Sequence, residues 1–323
     1  MKAAVLHEIG KLPKFEETYP IPVVENAEQQ QLVKVLSSSI KNLDRGKVSG
    51  KHYMSYNKFP TTVGIDGVVE LDNGDKAYAF GITGMIAEKA LIGKGKYVVL
   101  DKDVDPLVAS ALPNAILGAD MAMLIRGQLK EGQTVLVNGA TGVTGKVALQ
   151  LARIHGAKKI IAMGRDKQQL EDLQKRFKLD EIIVISDNDQ EVIDSVKTSF
   201  QKQPIDLVLD YLWGRPTDLV LKAIVAAHTY HITKVVTIGE MAGASITLSS
   251  ATLRSTAIEI LGSGLGSFPQ NAIEIYMKNN LNNLLKLATQ GKLTIDINTI
   301  ELKDIEKNWL HDVKGQRTVV KIN

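Results

Sequence analysis

Residues 135–145 read VLVNGATGVTG, a short apolar run followed by three glycines at a spacing of three. The run predicts a buried strand, and the amphipathic stretch 146–155 (KVALQLARIH) predicts the helix that follows it. A turn this tight needs positions without a Cβ, which Gly139, Gly142 and Gly145 supply. The free N–H groups and the dipole at the start of a helix favour an anion. The stretch therefore predicts a phosphate-binding loop.

A regular alternation of strands and helices surrounds this loop. The predicted strands are 134–138, 159–163, 181–185, 206–210, 234–238 and 258–261, and the predicted helices are 146–155, 166–177, 189–200 and 217–227. Short continuous apolar runs are expected when helices cover both faces of a sheet. The pattern predicts an α/β fold with a doubly wound parallel sheet, the Rossmann arrangement that binds dinucleotides. The alternative, a plain strand–helix turn, would account for the glycines alone.

The end of the second strand indicates which dinucleotide is bound. Sites for NAD usually carry Asp or Glu about 20 residues after the loop, where it binds the ribose 2′-hydroxyl. Gly164 stands at that position here, and Arg165 and Lys167 follow it. A guanidinium beside an ammonium group suits a 2′-phosphate, so we predict NADP(H). The alternative for Arg165 is an ordinary solvated charge, and Asp166 is predicted to cap the next helix.

The composition of the chain excludes several classes of protein. Its 323 residues include no cysteine, which removes disulfides, thiolate nucleophiles and every zinc site built on cysteine. The net charge of +3 gives no indication of a nucleic-acid partner. The first residues, MKAAVLHEIGKLPK, contain only a short apolar stretch, and no run reaches the length that a bilayer requires. We therefore expect a cytoplasmic protein with no membrane partner.

The first third of the chain has a different character. Strand-like pieces at 30–37, 62–70, 76–80 and 96–100 are separated by Gly, Pro, Asn and Asp, which predicts an irregular, mostly antiparallel β domain. Near the end, residues 270–289 predict one amphipathic helix, and a final strand at 317–322 can return to the first domain. The predicted domains are 1–114 together with 264–323, and 115–263.

This order of parts, with the block 134–157, resembles the medium-chain dehydrogenase/reductase superfamily and is most similar to its zinc-independent quinone oxidoreductase branch. Further similar blocks lie at 62–70, 111–119, 160–167, 206–214 and 254–266. The resemblance covers essentially the whole chain. It implies a GroES-like catalytic domain beside the Rossmann domain, and a homodimer joined through the edges of the Rossmann sheets.

The resemblance also bears on metal binding. Zinc-dependent members of the superfamily carry Cys and Gly-His-Glu ligands in the first domain, and this chain reads Gly64-Ile65-Asp66 at the second motif. An apolar Ile65 replaces the histidine, and the six histidines show no spacing that would supply three ligands. We predict that the protein binds no metal.

Several site residues follow from the resemblance. Asn42 and Asp44 are similar to an Asn-Pro-x-Asp segment, which places either Lys41 or Asn42 near the nicotinamide ribose. Tyr53 resembles a tyrosine at the mouth of the substrate pocket, and Tyr53 and Lys41 are the candidate catalytic proton donors. Asp210 and Gly239 are predicted to end strands at the cofactor crevice. Residues 262–264 resemble a loop that faces the nicotinamide carboxamide. Arg317 resembles a basic residue near the phosphates. The candidate cofactor-binding residues are Asn42, Thr141, Gly142, Val143, Thr144, Gly164, Arg165, Lys167, Asp210, Gly239, Gly262, Ser263, Gly264 and Arg317.

The absence of zinc restricts the expected chemistry. Zinc would polarise a substrate carbonyl, so without it the acceptor should stabilise charge by its own conjugation. The first hypothesis is an NADPH-dependent oxidoreductase that transfers hydride to a quinone. The alternatives are an enone or enal double-bond reductase and an NADPH-binding sensor with little activity.

Overall fold

The computed structural model describes residues 1–264, 266–269 and 271–323, and the chain divides into two compact units. Unit 1 comprises Met1–Pro113 and Glu274–Asn323, and unit 2 comprises Asn114–Ile273. The sequence predicts the second boundary earlier, at 263–264. The intervening segment is held in unit 2, because the Arg126 guanidinium bonds the Ser267 carbonyl and lies 4.7 Å from the Phe268 ring centre.

The chain from residue 1 to residue 121 is built from short strands and two helices. They are β1 (Ala3–Leu6), β2 (Lys14–Glu16), β3 (Gln30–Ile40), α1 (Asn42–Ser49), β4 (Thr61–Thr62), β5 (Asp66–Glu70), β6 (Lys76–Gly81), β7 (Lys89–Val99) and α2 (Pro106–Met121). The single strand predicted at 62–70 is wrong, since Gly64 divides it into β4 and β5. Gly64 has φ +100°, and an added Cβ would lie 2.8 Å from the backbone nitrogen of Ile86.

Helix α2 continues as a π-helical turn at Ala122–Arg126. Among the described residues, Pro106–Arg126 is the one helix that is long and apolar enough to cross a membrane. Of the apolar stretch within this helix, 72% is buried inside the structure. Burial of this kind is what a core helix requires. The apolar composition of α2 is thus explained by packing within the fold.

Unit 2 contains a six-stranded parallel sheet. Its elements are β8 (Thr134–Asn138), α3 (Val143–Ile154), β9 (Lys159–Gly164), α4 (Lys167–Phe177), β10 (Glu181–Val184), α5 (Asp189–Lys202), β11 (Leu207–Asp210), α6 (Gly214–Ala226), β12 (Thr233–Thr237), α7 (Ser250–Ser255) and β13 (Ile258–Gly262). The strand order is β10-β9-β8-β11-β12-β13. This doubly wound order confirms the predicted Rossmann arrangement, and every predicted strand limit lies within one residue of the observed one.

The core of unit 2 explains why its strands are continuous apolar runs. Leu136, Val208 and Val235 of the central strands are at most 1% exposed, and they pack in one cluster with Phe200 of α5 and Leu219 of α6. Because helices cover the sheet, residues pointing to either face are buried. The carboxyl ends of the strands remain as the edge where loops can form a site.

The chain returns to unit 1 at Glu274. The remaining elements are α8 (Gln270–Tyr276), a π-helical turn (Met277–Leu281), α9 (Asn282–Thr289), β14 (Ile297–Glu301), α10 (Ile305–Asn308) and β15 (Arg317–Lys321). The helix predicted at 270–289 is confirmed as three consecutive helical segments. Strand β15 pairs antiparallel with β3, with Val319 opposite Ser39, so the predicted return of the final strand is confirmed as well.

Candidate functional site

The three glycines of the loop after β8 meet three different demands. Gly139 has φ +97°, and its N–H and that of Ala140 both donate to the Met163 carbonyl at 2.9 and 3.0 Å. A Cβ on Gly145 would lie only 2.3 Å from the Gly139 carbonyl oxygen. A Cβ on Gly142 would meet only that same oxygen, at 3.4 Å. Gly139 therefore makes the turn, Gly145 permits close packing, and Gly142 leaves room for a ligand.

Helix α3 begins at this open position. Gly142 is the N-cap residue, has extended backbone, and offers no side chain to bond the first N–H groups. The first N–H groups of a helix have no acceptor within it, so those of Val143 and Thr144 can bind an anion. Thr141, Gly142, Val143 and Thr144 lie around this helix start, and their contact with a cofactor stays a prediction. This cradle fits the diphosphate of a dinucleotide.

The end of β9 lies against the same loop. A Cβ on Gly164 would meet Thr141 Cγ2 at 3.3 Å, a tight contact that a larger side chain could make only if Thr141 shifted. Arg165 is exposed and pairs with no acidic side chain in the described part of the chain. The Lys167 ammonium lies 3.8 Å from Glu171 on α4. Asp166 caps α4 by accepting the Gln169 N–H at 3.0 Å, which confirms its predicted role.

The buried carboxylate of Asp210, at the end of β11, organises the next loop. Its Oδ1 accepts hydrogen bonds from Asn138 Nδ2 at 2.9 Å and from the N–H groups of Leu212 and Trp213 at 3.0 and 3.1 Å. Its Oδ2 accepts from Thr217 Oγ1 at 2.7 Å. Burial raises the pKa of Asp210, while these hydrogen bonds oppose the rise. The side chain is fully used inside the fold, so Asp210 positions the loop, and the contact of its backbone with a cofactor stays a prediction.

The other predicted backbone contacts lie along the same edge of the sheet. Gly239 follows β12, its N–H donates to the Asp210 carbonyl at 3.3 Å, and a Cβ there would lie 2.8 Å from the Tyr211 carbonyl oxygen. At the end of β13 and just beyond it, Gly262 and Gly264 are open, with no atom within 4 Å of an added Cβ. Ser263 between them is held by its N–H bond to the Thr237 carbonyl at 2.8 Å. Their contact with a cofactor stays a prediction.

Unit 1 contains a cluster of buried charges that we call the charge cluster: Lys41, Asp44, Asp66 and Arg317. The Lys41 ammonium is 1% exposed and lies 2.7 Å from Asp66 Oδ1 and 3.2 Å from Asp44 Oδ2. It also donates to the Ser39 carbonyl at 2.7 Å. Burial alone would lower the pKa of Lys41, but the charges of Asp44 and Asp66 outweigh it and raise the pKa above its ordinary value.

The charge cluster bears on two of the sequence-based expectations. Lys41 is enclosed and holds its proton tightly, so it is not placed as a proton donor to a substrate. Arg317 is 7% exposed, and although burial lowers its pKa, the charges of Asp44 and Asp66 oppose this. Its guanidinium is buried within unit 1, and its Nε has no hydrogen-bond partner in the described part of the chain, so a role for Arg317 near the cofactor phosphates stays a prediction.

The remaining predicted residues of unit 1 lie at its surface. Tyr53 is 71% exposed and its ring centre lies 4.1 Å from that of His52. Asn42 is exposed at the first position of α1. Neither position contradicts the expected roles, and both stay predictions.

The residues present do not fit a zinc site. Among the described residues, no group of three or more His, Cys, Asp and Glu could hold a metal ion. Asp66 stands at the glutamate position of the zinc motif and instead pairs with the Lys41 ammonium. Ile65 has no side-chain ligand for a metal, and its N–H donates to Asp44 Oδ1 at 3.0 Å. Sequence reasoning gives Lys41 another role and misses its pairing with Asp66, because the two residues are 25 positions apart.

Comparisons with known proteins agree with this architecture. A chloroplastic NADPH-dependent alkenal/one oxidoreductase of Arabidopsis thaliana is 32% identical over 188 residues, which are 50% of this chain and 47% of that protein. A quinone oxidoreductase of Sus scrofa is 28% identical over 210 residues, 62% of each protein. Both alignments span less than two thirds of the relative. No family model matches the chain.

Solved structures match over the full length. The quinone oxidoreductase of Thermus thermophilus, whose crystal structures include a complex with NADPH, has a TM-score of 0.77 at 23% identity, with 100% of both chains covered. The fold is therefore that of the medium-chain dehydrogenases/reductases. In sequence the chain is similar to quinone oxidoreductases, which agrees with the resemblance seen in its motifs.

Proposed function

We propose that this protein is an NADPH-dependent, zinc-independent oxidoreductase that transfers hydride to a quinone. The observation that carries the proposal is the open glycine loop with Arg165 beside it. Gly142 leaves the start of α3 free for a diphosphate, and Gly164 removes the acidic side chain that would repel a 2′-phosphate. Arg165 is exposed next to that position and free to pair with the phosphate dianion.

When bound, NADPH supplies the hydride. The chain contributes binding and orientation: the N–H groups of Val143 and Thr144 would hold the diphosphate, and Arg165 the 2′-phosphate. Asp210 keeps the loop after β11 in place through four hydrogen bonds. Tyr53 is the remaining side chain that we propose near the acceptor, since Lys41 is enclosed. A quinone needs no strong acid from the protein, because hydride transfer gives a hydroquinone monoanion that conjugation stabilises and that takes its one further proton from solvent.

A second candidate is reduction of the double bond of an enone or enal. The similarity to the Arabidopsis thaliana alkenal/one oxidoreductase, at 32% identity, favours it. Both reactions use the same cofactor site and differ in the acceptor, so the glycine loop does not separate them. Homodimer formation and a cytoplasmic location stay part of the proposal by analogy with the superfamily.

Turnover with two acceptors tests the proposal. The purified chain is given NADPH with 1,4-benzoquinone or with a 2-alkenal, and the loss of NADPH absorbance is followed. We expect kcat/KM for the quinone to exceed that for the alkenal by about tenfold or more, a difference of about 1.4 kcal/mol in transition-state binding. A preference for the alkenal would favour the second candidate. Binding of NADPH without oxidation by either acceptor would contradict both and indicate a sensor.

A further inference from the structure

Trp213 has a backbone conformation that is unusual for a large side chain. Its φ is 54° and its ψ is −161°, a region that residues other than glycine almost never occupy. Such a conformation costs free energy and persists only when the surroundings determine it. Outliers of this kind cluster at functional sites, so the surroundings of Trp213 indicate what it does.

Two loops hold Trp213 in this conformation. Its N–H donates to Asp210 Oδ1 at 3.1 Å, and the carbonyl of Leu212 before it accepts from the Ala242 N–H at 2.7 Å. Gly214 after it has φ +57°, and a Cβ there would lie 2.7 Å from the Ala242 carbonyl oxygen. The loops that follow β11 and β12 thus clamp the backbone on both sides of the tryptophan.

The same segment borders the glycine loop. Strand β11 pairs with β8, with Asp210 opposite Asn138, so the loops after both strands leave the sheet together. A Cβ on Gly139 would lie 3.2 Å from the Leu212 side chain and from Tyr211 Cβ. Trp213 therefore stands at the switch-point crevice, where a dinucleotide lies in this fold.

The indole of Trp213 is available to a ligand. The side chain is only partly buried, and in the part of the chain that the structure describes its ring N–H has no hydrogen-bond partner. A flat aromatic face with a free donor suits an aromatic ring that also carries acceptors. The adenine and nicotinamide rings of a dinucleotide both have this chemistry.

We propose that Trp213 is a cofactor-binding residue whose indole packs on a ring of the dinucleotide, and that the strained backbone is retained because it presents the indole to the crevice. This inference rests on the proposed function, since it needs the loop after β8 to bind NADP(H). It goes further by assigning a contact that no glycine or basic residue of the loop provides. The alternative is that the conformation serves only to start α6.

Intrinsic fluorescence tests the contact directly. The chain has two tryptophans, and Trp309 is 1% exposed in unit 1, so Trp309→Phe leaves Trp213 as the single reporter. Titration with NADP⁺ should quench or shift its emission, whereas Trp213→Phe, which retains Trp309, should show little change. Adenosine 2′,5′-bisphosphate, which carries only the adenosine half, identifies the ring: a response equal to that of NADP⁺ indicates adenine, and no response indicates nicotinamide.

A pair of variants in the natural background separates the strain from the contact. Trp213→Ala removes the ring and keeps the strain, while Trp213→Gly removes both. We expect both to weaken NADP⁺ binding about tenfold by calorimetry. We also expect the glycine variant to melt at a higher temperature than the alanine variant, opposite to the usual order of these residues. This comparison does not depend on the folding of the Trp309 variant.

The outcomes distinguish failure of the proposed function from failure of the inference about Trp213. If the unsubstituted chain does not bind NADP⁺ by calorimetry, the proposed function fails and the Trp213 inference fails with it. If it binds NADP⁺, but Trp213→Ala binds equally well and the Trp213 reporter is silent, only the inference about Trp213 is overturned, and the conformation then serves the fold alone.

Discussion

At the scale of single residues, the loop after β8 shows how one residue type meets unlike demands. A Cβ on Gly145 would overlap the Gly139 carbonyl oxygen at 2.3 Å, whereas a Cβ on Gly142 would make an ordinary contact at 3.4 Å. Gly145→Ala should therefore destabilise the fold by about 1–3 kcal/mol, as overpacking does. Gly142→Ala should leave stability within about 0.5 kcal/mol and weaken NADPH binding about tenfold, because its methyl group occupies the path of the diphosphate.

Thermal melting and calorimetric titration of the two variants check this contrast. The two glycines serve as matched controls for each other, since the chemical change is the same. Loss of stability in Gly142→Ala, or normal NADPH affinity in that variant, would contradict the separate roles assigned to them.

Arg165 carries the predicted choice between the two dinucleotides. Arg165→Ala should raise the Kd for NADPH by about tenfold or more, because charge-assisted hydrogen bonds to the 2′-phosphate are lost, and should leave the Kd for NADH nearly unchanged. Lys175→Ala, an exposed basic residue on α4, is the control and should alter neither. An unchanged ratio of the two affinities in Arg165→Ala would refute the assignment.

At the scale of elements, the charge cluster joins the start of α1 to β5 and β15. Lys41 and Arg317 balance Asp44 and Asp66, so the buried charges sum to zero. Lys41→Met leaves one carboxylate without compensation and should lower the free energy of unfolding by about 3–5 kcal/mol in urea denaturation. The double variant Lys41→Met/Asp66→Asn restores the balance and should recover much of the loss. A single variant as stable as the natural chain would show that the cluster does not support these elements.

The loop after β11 should give stability a pH dependence that can be traced to one carboxyl group. Burial raises the pKa of Asp210, so the folded chain holds this proton more tightly than the unfolded chain. The resulting stabilisation is complete below the unfolded value of about 3.9 and is lost as pH rises through the raised folded value.

Asp210→Asn removes this contribution while keeping the shape of the site. The Oδ1 of the substituted side chain can still accept hydrogen bonds from the N–H groups of Leu212 and Trp213. Its Nδ2 can donate a hydrogen bond to Thr217 Oγ1. The free energy of unfolding of Asp210→Asn minus that of the natural chain should therefore increase from pH 4 towards pH 7, measured by urea denaturation. A constant difference across this range would show that Asp210 does not titrate with a raised pKa.

The sequence predicts some elements far better than others, for physical reasons. The strands of unit 2 are continuous apolar runs because both faces of the sheet are covered, and their limits follow directly. Helix α2 is missed, because Pro113 lies inside it and proline argues against a helix interior. Strand β1 is only four residues long and gives no clear periodicity.

The candidate site divides in the same way. The glycine loop and the Asp166 cap depend on neighbouring residues, so local sequence predicts them. The enclosure of Lys41 by Asp66 and the strain at Trp213 depend on contacts with distant segments, and no spacing in the sequence reports those. The sequence therefore suggests Lys41 as a proton donor, although tertiary contacts make it part of the core.

At the scale of the whole molecule, we expect the two-unit chain to work without a metal. The chain has no cysteine, and the Lys41 ammonium compensates Asp66 where a zinc motif would place a ligand. Dialysis against a chelator should therefore leave the quinone activity and the melting temperature unchanged, and elemental analysis should find well under one zinc per chain. Loss of activity on chelation, restored by added zinc, would contradict this expectation.

The most direct measurement is a crystal structure of the chain with NADP⁺. We predict diphosphate density at the start of α3, within hydrogen-bond distance of the Val143 and Thr144 N–H groups, and the 2′-phosphate beside Arg165. A glycine loop without nucleotide density in crystals grown at saturating NADP⁺, or a 2′-phosphate remote from Arg165, would contradict it.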